Sequence, residues 1–217
     1  MPHCLVIGAG KGLGAAIARR FAANGFAISL IARSRETLDT TAATIPQPTG
    51  TWTADAGDPE SLTAAIGAAI EKSGPVDVLA FNAVSVTPGT PSKLGAEALV
   101  KDFRASVAAV LTAVQAVLPG MRENGSGTIL LTGGGFAIKP MAQLATIGVS
   151  KAAIRNLALS LADELGPEGI HVATVMVGGI IKDGTPFSPD RIAEVFWELH
   201  AQTRQSWEVE RLYRPEA

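Results

Sequence analysis

The chain has 217 residues, of which 47% are hydrophobic and 18% charged, and its formal net charge is -2. This length suits one domain with a sizeable core, so we expect a single domain over residues 1–217. The near-neutral balance, without a run of lysine or arginine, argues against nucleic-acid binding and against electrostatic attachment to a membrane surface.

The cysteine content and the first residues of the chain bear on its cellular location. Cys4 is the only cysteine, so it cannot form an internal disulfide, and we expect it to be a buried structural residue. A predicted strand begins almost at once, so we expect no signal peptide. No apolar run along the sequence is expected to reach membrane-spanning length. These features favour the cytoplasm.

The first predicted strand leads into a glycine-rich turn and a helix. Residues 5–7 are apolar, and glycines follow at positions 8, 10, 12 and 14. The spacing is not G-x-G-x-x-G, because residue 13 is Leu13; it fits Gly8-x-x-x-Gly12-x-Gly14 instead. Backbone without Cβ atoms can approach a phosphate closely, and unpaired N–H groups at a helix start face the anion. The turn therefore predicts a dinucleotide site, whereas glycine near a strand end otherwise marks only a tight turn.

Strands and helices alternate along the rest of the chain. Apolar runs predict strands at 27–32, 51–53, 76–81, 128–132, 171–177 and 207–213, the last at the sheet edge. Helical patterns follow at 36–44, 59–73, 96–118, 148–165 and 189–202, and Pro119 is expected to end the long helix. The alternation predicts an α/β fold: a doubly wound parallel sheet with helices on both faces, in which ligands bind beyond the carboxyl ends of the strands.

The residues after the second strand bear on which dinucleotide binds. An acid commonly meets the free ribose 2′-hydroxyl of NAD at this position. Here Arg33 takes that place, Arg35 follows, and Lys11 adds a positive charge within the glycine turn. Arg33 can hold a 2′-phosphate through two charge-assisted hydrogen bonds, which favours NADP(H) over NAD(H). The alternative is that both arginines are solvated surface charges.

Several further motifs, with the glycine turn, resemble the short-chain dehydrogenase/reductase family over nearly the whole chain. Asp55, after the third strand, resembles the family's adenine-contacting acid. Asn82-Ala83 resembles the start of its Asn-Ala-Gly signature, with Val84 where glycine is usual. The segment around Lys151 is similar to the one that carries the active-site lysine.

The resemblance implies a Rossmann-like fold and hydride transfer between a nicotinamide and a carbonyl or alcohol carbon. It also implies a homodimer or homotetramer, formed through the helical segments near 105–118 and 154–165. Together with the residues above, it gives the expected cofactor-binding set Gly8, Lys11, Gly12, Leu13, Gly14, Arg33, Asp55, Asn82, Ala83, Lys151 and Ile180.

The catalytic positions depart from the family's pattern. The family donates a proton from a tyrosine four residues before the lysine, and a serine thirteen residues before that tyrosine holds the substrate oxygen. In this chain those positions are Ile147 and Gly134, and the position of the family's helix asparagine, counted back from Pro119, is Ser106. Lys151 is thus the one retained catalytic candidate, and it can still bond the ribose hydroxyls of the nicotinamide.

Few other side chains in the sequence are candidate proton donors. The only tyrosine, Tyr213, lies near the carboxyl terminus. Thr132 either donates a hydrogen bond to a substrate oxygen or satisfies a backbone group at the end of its strand. The short segment 182–189 predicts an open, apolar pocket lined by Ile138, Ile147 and Ile180.

Two functions follow from this pattern. The first is an NADP(H)-dependent oxidoreductase that acts on a small apolar carbonyl or alcohol with a non-standard proton source. The second is a non-catalytic NADP(H)-binding module that senses redox state or pairs with an active relative. A positioned general acid contributes typically about 10²–10⁴-fold, so its loss slows a reaction without abolishing it. Neither function calls for a metal ion.

Overall fold

The computed structural model describes residues 1–215, which form a parallel β-sheet covered by helices. The strands are β1 (His3–Ile7), β2 (Ala27–Ala32), β3 (Thr49–Thr53), β4 (Val78–Phe81), β5 (Gly127–Thr132), β6 (Ile170–Val177) and β7 (Glu210–Tyr213). Their order in the sheet is β3-β2-β1-β4-β5-β6-β7, and each strand pairs in parallel with its neighbours. The predicted α/β fold with a doubly wound parallel sheet is confirmed, and β7 lies at the sheet edge.

The helices connect the strands and cover both faces of the sheet. They are α1 (Leu13–Ala22), α2 (Arg35–Ala42), α3 (Pro59–Ser73), α4 (Ala96–Phe103), α5 (Ala109–Asn124), α6 (Ala145–Leu165) and α7 (Pro189–His200). Local start signals fix several of them: the Ser34 hydroxyl accepts a hydrogen bond from the Thr37 N–H at the start of α2, and the Asp58 carboxylate accepts from the first turn of α3. Apart from the long helix, predicted and observed ends differ by up to three residues.

The long fourth helix of the sequence prediction runs further than expected. A π-helical turn at Arg104–Ala108 joins α4 to α5, so the helix is continuous from Ala96 to Asn124 and Pro119 lies inside it. The expectation that Pro119 ends this helix is wrong. Proline removes one N–H donor, but Val117 and Met121 on either side are buried in the core, and that packing keeps the next turn helical.

The same helix corrects the expectation about membrane-spanning length. Over Ala96–Asn124 it is long and apolar enough, by length and composition alone, to cross a membrane, with a mean hydropathy of 1.4 in its most apolar window. In the structure its apolar face packs against the sheet, where Val110 and Val114 are fully buried.

The sheet separates two hydrophobic clusters because successive side chains of a strand point to opposite faces. Leu5 and Ile7 of β1 pack with apolar side chains of α3, α5 and α6. Cys4 and Val6 pack on the opposite face with those of α1 and α7. Burial raises the pKa of the Cys4 thiol above its ordinary value, as expected for a structural cysteine.

The buried His171 of β6 and the half-buried His200 at the end of α7 lie near the amino-terminal ends of β5 and β6. The His171 Nε2–H donates to the Glu208 carbonyl oxygen at 2.9 Å, and its ring stacks on Trp207 with 4.8 Å between centroids. His200 Nδ1 lies 3.0 Å from the Thr128 hydroxyl. Burial lowers the pKa of both histidines below the ordinary value, and the neighbouring His171 lowers that of His200 further.

This burial predicts acid sensitivity. The unfolded chain takes up protons on its histidines near pH 6.5, whereas the folded chain does so only at lower pH. We therefore expect the free energy of unfolding, measured by urea denaturation, to be level above pH 7 and to fall between pH 6.5 and 5. In His171→Phe, which keeps the stacking on Trp207, the fall should be smaller; an equal fall would contradict the assignment.

Candidate functional site

The strand order reverses between β1 and β4, and the residues that follow these two strands meet at the carboxyl edge of the sheet. The Asn82 side chain fixes this point: its Nδ2 donates to the Gly8 carbonyl oxygen at 3.0 Å, and its Oδ1 accepts from the Thr132 hydroxyl at 3.0 Å. One amide thus joins the ends of β1, β4 and β5. The expectation that the Thr132 hydroxyl satisfies a backbone group is wrong, because it donates to the Asn82 side chain.

Two glycines permit close approach of the backbone at this point. Gly8 has φ +84°, and a Cβ added there would lie 2.4 Å from the Ala83 nitrogen. A Cβ at Gly14 would lie 2.4 Å from the Gly8 carbonyl oxygen, so a side chain would push α1 away from the strand. Gly12 differs, since a Cβ there would meet no atom within 4 Å. Space is therefore open beside the start of α1.

The start of α1 presents unpaired backbone donors to this space. The Ala15 and Ala16 N–H groups bond the Gly10 and Gly12 carbonyl oxygens. The N–H groups of Gly12, Leu13 and Gly14 have no acceptor in residues 1–215. Such groups, with the positive end of the helix dipole, bind anions. The unpaired N–H groups of Gly12, Leu13 and Gly14 therefore form an anion cradle that fits the pyrophosphate of a dinucleotide. The Leu13 side chain is buried in the core, 5% exposed, whereas the Lys11 side chain is exposed.

A cleft of about 320 Å³ continues from the glycine turn across the ends of β2 and β3. This volume lies within the range of small-molecule sites. Predicted residues that line it are Gly8, Arg33, Asp55, Asn82 and Ala83. The other predicted cofactor residues, Lys11, Gly12, Leu13, Gly14, Lys151 and Ile180, lie outside its lining, and Ile180 is 82% exposed.

The charged groups at the cleft differ in what they contact. Arg33 is exposed at the rim and has no hydrogen-bond or ion-pair partner within the described residues. Arg35 instead donates to the Thr51 hydroxyl at 2.7 Å and faces Asp39 at 3.9 Å, and it does not line the cleft. The Asp55 carboxylate accepts from the Gly57 N–H at 2.9 Å. Arg33 is therefore the side chain left available to a ligand.

Lys151 lies where α6 crosses the end of β5. It is 7% exposed, and its Nζ donates to the Thr132 carbonyl oxygen at 2.5 Å. Burial lowers the pKa of Lys151 to about 8. Gly134, after β5, has an extended backbone with φ 175°, and a Cβ there would lie 3.4 Å from the Lys151 Cγ. Ile147 is half-buried one turn before the lysine.

A buried carboxylate, missed from the sequence, supports the wall of the cleft. Asp102 of α4 is 1% exposed and accepts from the Ser85 hydroxyl at 2.7 Å and from the Thr87 N–H. Ser106 lies one turn later and accepts from the Ser85 N–H at 2.9 Å. Burial alone would raise the pKa of Asp102, but hydrogen bonds from Ser85, Thr146 and Thr87 lower it below the ordinary value. The carboxylate therefore stays ionised and holds the segment after β4.

Ser34 and Thr37 also line the cleft and were missed. A sequence signal existed for them, since a serine three residues before a threonine, directly after a strand, is typical of a helix start. Asp102 had one as well, because it shares a helical face with the apolar Ala109 and Ala113.

A parallel sheet with this glycine turn at its switch point defines a dinucleotide-binding α/β protein of the Rossmann type. The chain belongs to the short-chain dehydrogenase family, whose model matches residues 2–191. The predicted membership is confirmed. The chain is 33% identical to Dehydrogenase/reductase SDR family member 4 of Sus scrofa, an alignment that covers 98% of this chain and 76% of that relative.

Solved structures resemble the chain over its whole length. A short-chain dehydrogenase from Rhodopseudomonas palustris is 28% identical to this chain, with a TM-score of 0.88. The alignment covers 99% of each of the two chains. A metagenomic short-chain oxidoreductase in complex with NADP is 26% identical with a TM-score of 0.90, over 100% of this chain and 98% of that one.

The close approach at Gly8 yields a stability prediction. Gly8→Ala places a left-handed alanine, at about 1–2 kcal/mol, and adds a clash with the Ala83 backbone. Gly25→Ala is the matched control, because Gly25 has φ +82° but open space around its Cβ position. We expect Gly8→Ala to lower the free energy of unfolding by roughly 1–3 kcal/mol more than the control, as overpacking does. Equal losses in chemical denaturation would show that the contact is not needed.

Proposed function

We propose that this protein is an NADP(H)-dependent oxidoreductase that moves a hydride between the nicotinamide and a small apolar carbonyl or alcohol, using a non-standard proton source. The observation that carries the cofactor choice is Arg33, an exposed guanidinium at the cleft rim without a carboxylate partner in residues 1–215. Its planar fork matches a 2′-phosphate. A relative of known structure that holds NADP supports the same choice.

The chain's residues divide the work of holding the cofactor. The N–H groups of Gly12, Leu13 and Gly14 bind the pyrophosphate, and Arg33 with Lys11 binds the 2′-phosphate. The remaining contacts are assigned to Gly8, Asp55, Asn82, Ala83, Lys151 and Ile180. The bound nicotinamide supplies or accepts the hydride. Lys151, whose ammonium has three donors, holds the nicotinamide ribose.

The substrate side of the site is apolar. Ile138 and Met141 follow β5 and are exposed, as is Ile180 after β6. Ile147 adds a half-buried apolar side chain at the start of α6. A small apolar carbonyl compound would cover such side chains, and burying apolar surface contributes about 25 cal/mol per Å².

A non-catalytic NADP(H)-binding module is the second candidate. It is favoured by the side chains at the usual catalytic positions, since Ile147 and Gly134 carry neither a hydroxyl nor a titratable group. The Thr132 hydroxyl is already engaged with Asn82. Turnover of NADPH with any carbonyl substrate separates the two candidates.

The assembly and location follow as parts of the same proposal. Exposed apolar side chains on the α4–α6 surface, which support pairing of subunits into a homodimer or homotetramer, are Val100, Leu111, Val149 and Leu159. Sedimentation velocity tests this directly. A single cysteine that cannot pair within the chain supports a cytoplasmic protein.

The cofactor preference is testable by fluorescence titration. We expect NADPH to bind at least tenfold tighter than NADH, because only NADPH carries the 2′-phosphate that Arg33 and Lys11 attract. Arg33→Ala should weaken NADPH binding about tenfold, the loss of roughly 1.4 kcal/mol of charge-assisted bonding, and should leave NADH binding unchanged.

Arg35→Ala provides the matched control, because it removes a neighbouring arginine that contacts Thr51 and Asp39 rather than the cleft. Its NADPH affinity should stay within about twofold of the parent chain, since exposed pairs of this kind contribute little. Equal affinities of the parent protein for NADPH and NADH would refute the assignment of Arg33.

The missing hydroxyls predict slow catalysis that can be improved. A panel of apolar aldehydes and ketones with NADPH should be reduced very slowly. Ile147→Tyr combined with Gly134→Ser restores an acid and a substrate-binding hydroxyl, and we expect the rate to rise by about 10²-fold or more. Gly134 is in extended backbone, so the serine imposes no strain there.

Ile147→Phe with Gly134→Ser serves as the control for ring size without the phenol. If the tyrosine variant is no faster than this control, the substrate panel is wrong or the protein is a binding module. A parent rate as high as that of ordinary family members would mean that another acid is already in place.

A further inference from the structure

The proposed function leaves the substrate oxygen without a tyrosine to protonate it. We propose that Lys151 itself donates this proton, through the space that Gly134 leaves open beside the lysine side chain. The inference rests on the proposed oxidoreductase function and names the proton source that it lacks.

The geometry around Gly134 carries the argument. The backbone there is extended, with φ 175°, so no conformational constraint requires glycine. The three atoms nearest to a Cβ at this position are the Cγ, Cδ and Cε of Lys151, at 3.4, 3.5 and 3.5 Å. The missing side chain therefore leaves a space of about one methyl group beside the buried side chain of Lys151. A substrate oxygen placed in that space would contact Cε and come within reach of the ammonium group.

The ammonium group of Lys151 has N–H donors that are not used within the described residues. One N–H of Lys151 is directed at the Thr132 carbonyl oxygen at 2.5 Å, which fixes the position of Nζ. An ammonium has three donors, and within the described residues Lys151 forms no ion pair with a carboxylate. Two N–H bonds remain for a ribose hydroxyl and for a substrate oxygen.

The other candidate donors named above do not fill this role. The Thr132 hydroxyl donates to Asn82, and the Tyr213 hydroxyl donates to the Pro186 carbonyl oxygen at 2.7 Å. Hydrogen bonds from Ser85, Thr146 and Thr87 lower the pKa of Asp102, so it carries no proton to give. Ile147 has none either.

The protonation equilibrium suits a proton donor. Burial lowers the pKa of Lys151 to about 8 and is the sole cause of the shift; no charged side chain on the elements packed against α6, Asp102 of α4 included, contributes. An acid is most effective when its pKa lies near the working pH. A solvated lysine, with a pKa near 10.4, gives up its proton far less readily.

The step balances as follows. The carbonyl carbon gains a hydride, with its two electrons, from the reduced cofactor. The carbon–oxygen π pair moves to the oxygen, which takes a proton from Lys151 Nζ. The product alcohol leaves a neutral amine, and water reprotonates it. Alcohol oxidation runs the same transfers in reverse.

The protonation state is measured without cofactor or turnover. In the cofactor-free protein, NMR of ¹³C-labelled lysine side chains follows the seven lysines through a pH titration. We expect one Cε resonance to titrate near pH 8 and to be missing from Lys151→Arg. A Lys151 resonance that titrates above pH 10 would overturn the proposal.

Access to the lysine is tested by filling the space beside it. Gly134→Ala places a methyl group at ordinary contact distance from Lys151, and we expect kcat to fall at least tenfold while the Kd for NADPH and the Lys151 titration stay within error. Gly67→Ala is the matched control, since Gly67 lies in α3 with no atom within 4 Å of its Cβ position. It should keep the parent kcat.

The Lys151→Arg variant tests the lysine directly as the proton donor. Arginine keeps the positive charge toward the ribose but is a very weak acid, so we expect kcat to fall by about 10²-fold or more, with a much smaller change in NADPH affinity. The parent protein's reduction rate should decline above pH 8 as Lys151 loses its proton.

These experiments distinguish failure of the Lys151 proposal from failure of the oxidoreductase proposal and of the cofactor assignment. If the parent protein reduces a carbonyl but Gly134→Ala and Lys151→Arg leave kcat unchanged, the lysine is not the donor, and the oxidoreductase proposal stands. If NADPH binds but no carbonyl is reduced, both proposals fail and the binding module remains. If NADPH does not bind, the cofactor assignment itself is wrong.

Discussion

The contact between backbones at the switch point of the sheet sets the geometry of the whole site. Gly8 and Gly14 bring β1, the loop after β4 and the start of α1 to distances that no Cβ tolerates. The Asn82 amide then bonds the Gly8 carbonyl and the Thr132 hydroxyl. The start of α1 and the end of β5 are thereby held in one frame. The anion cradle and Lys151 depend on that frame.

Much of the fold was predictable because the strands are buried on both faces and therefore read as apolar runs. The long helix was misjudged at Pro119, where local propensity argued for an end. Contacts of Val117 and Met121 with distant parts of the chain outweigh one missing hydrogen bond. Contacts of this kind are not visible in a short stretch of sequence.

The sequence predicted those parts of the candidate site whose residues lie close together in the chain. The glycine turn and Arg33 follow directly from their strands, and the structure has them along one cleft or at its end. The Asp102 cluster was missed because its members are far apart in the chain: Ser85, Thr87, Asp102 and Thr146 meet only when α4 and α6 pack together. An acid on an apolar helical face was the one clue.

The π-helical turn at Arg104–Ala108 sets the rotational phase between the two halves of the long helix. Such a turn holds one residue more than an α-helical turn, and one residue corresponds to about 100° of rotation. Deleting a single residue there would turn α4 about its own axis relative to α5. Asp102 would then leave the Ser85 hydroxyl and face solvent or apolar neighbours, while the sheet below α5 kept its packing. The local widening of one helical turn therefore determines whether the cleft wall has an anionic support at all.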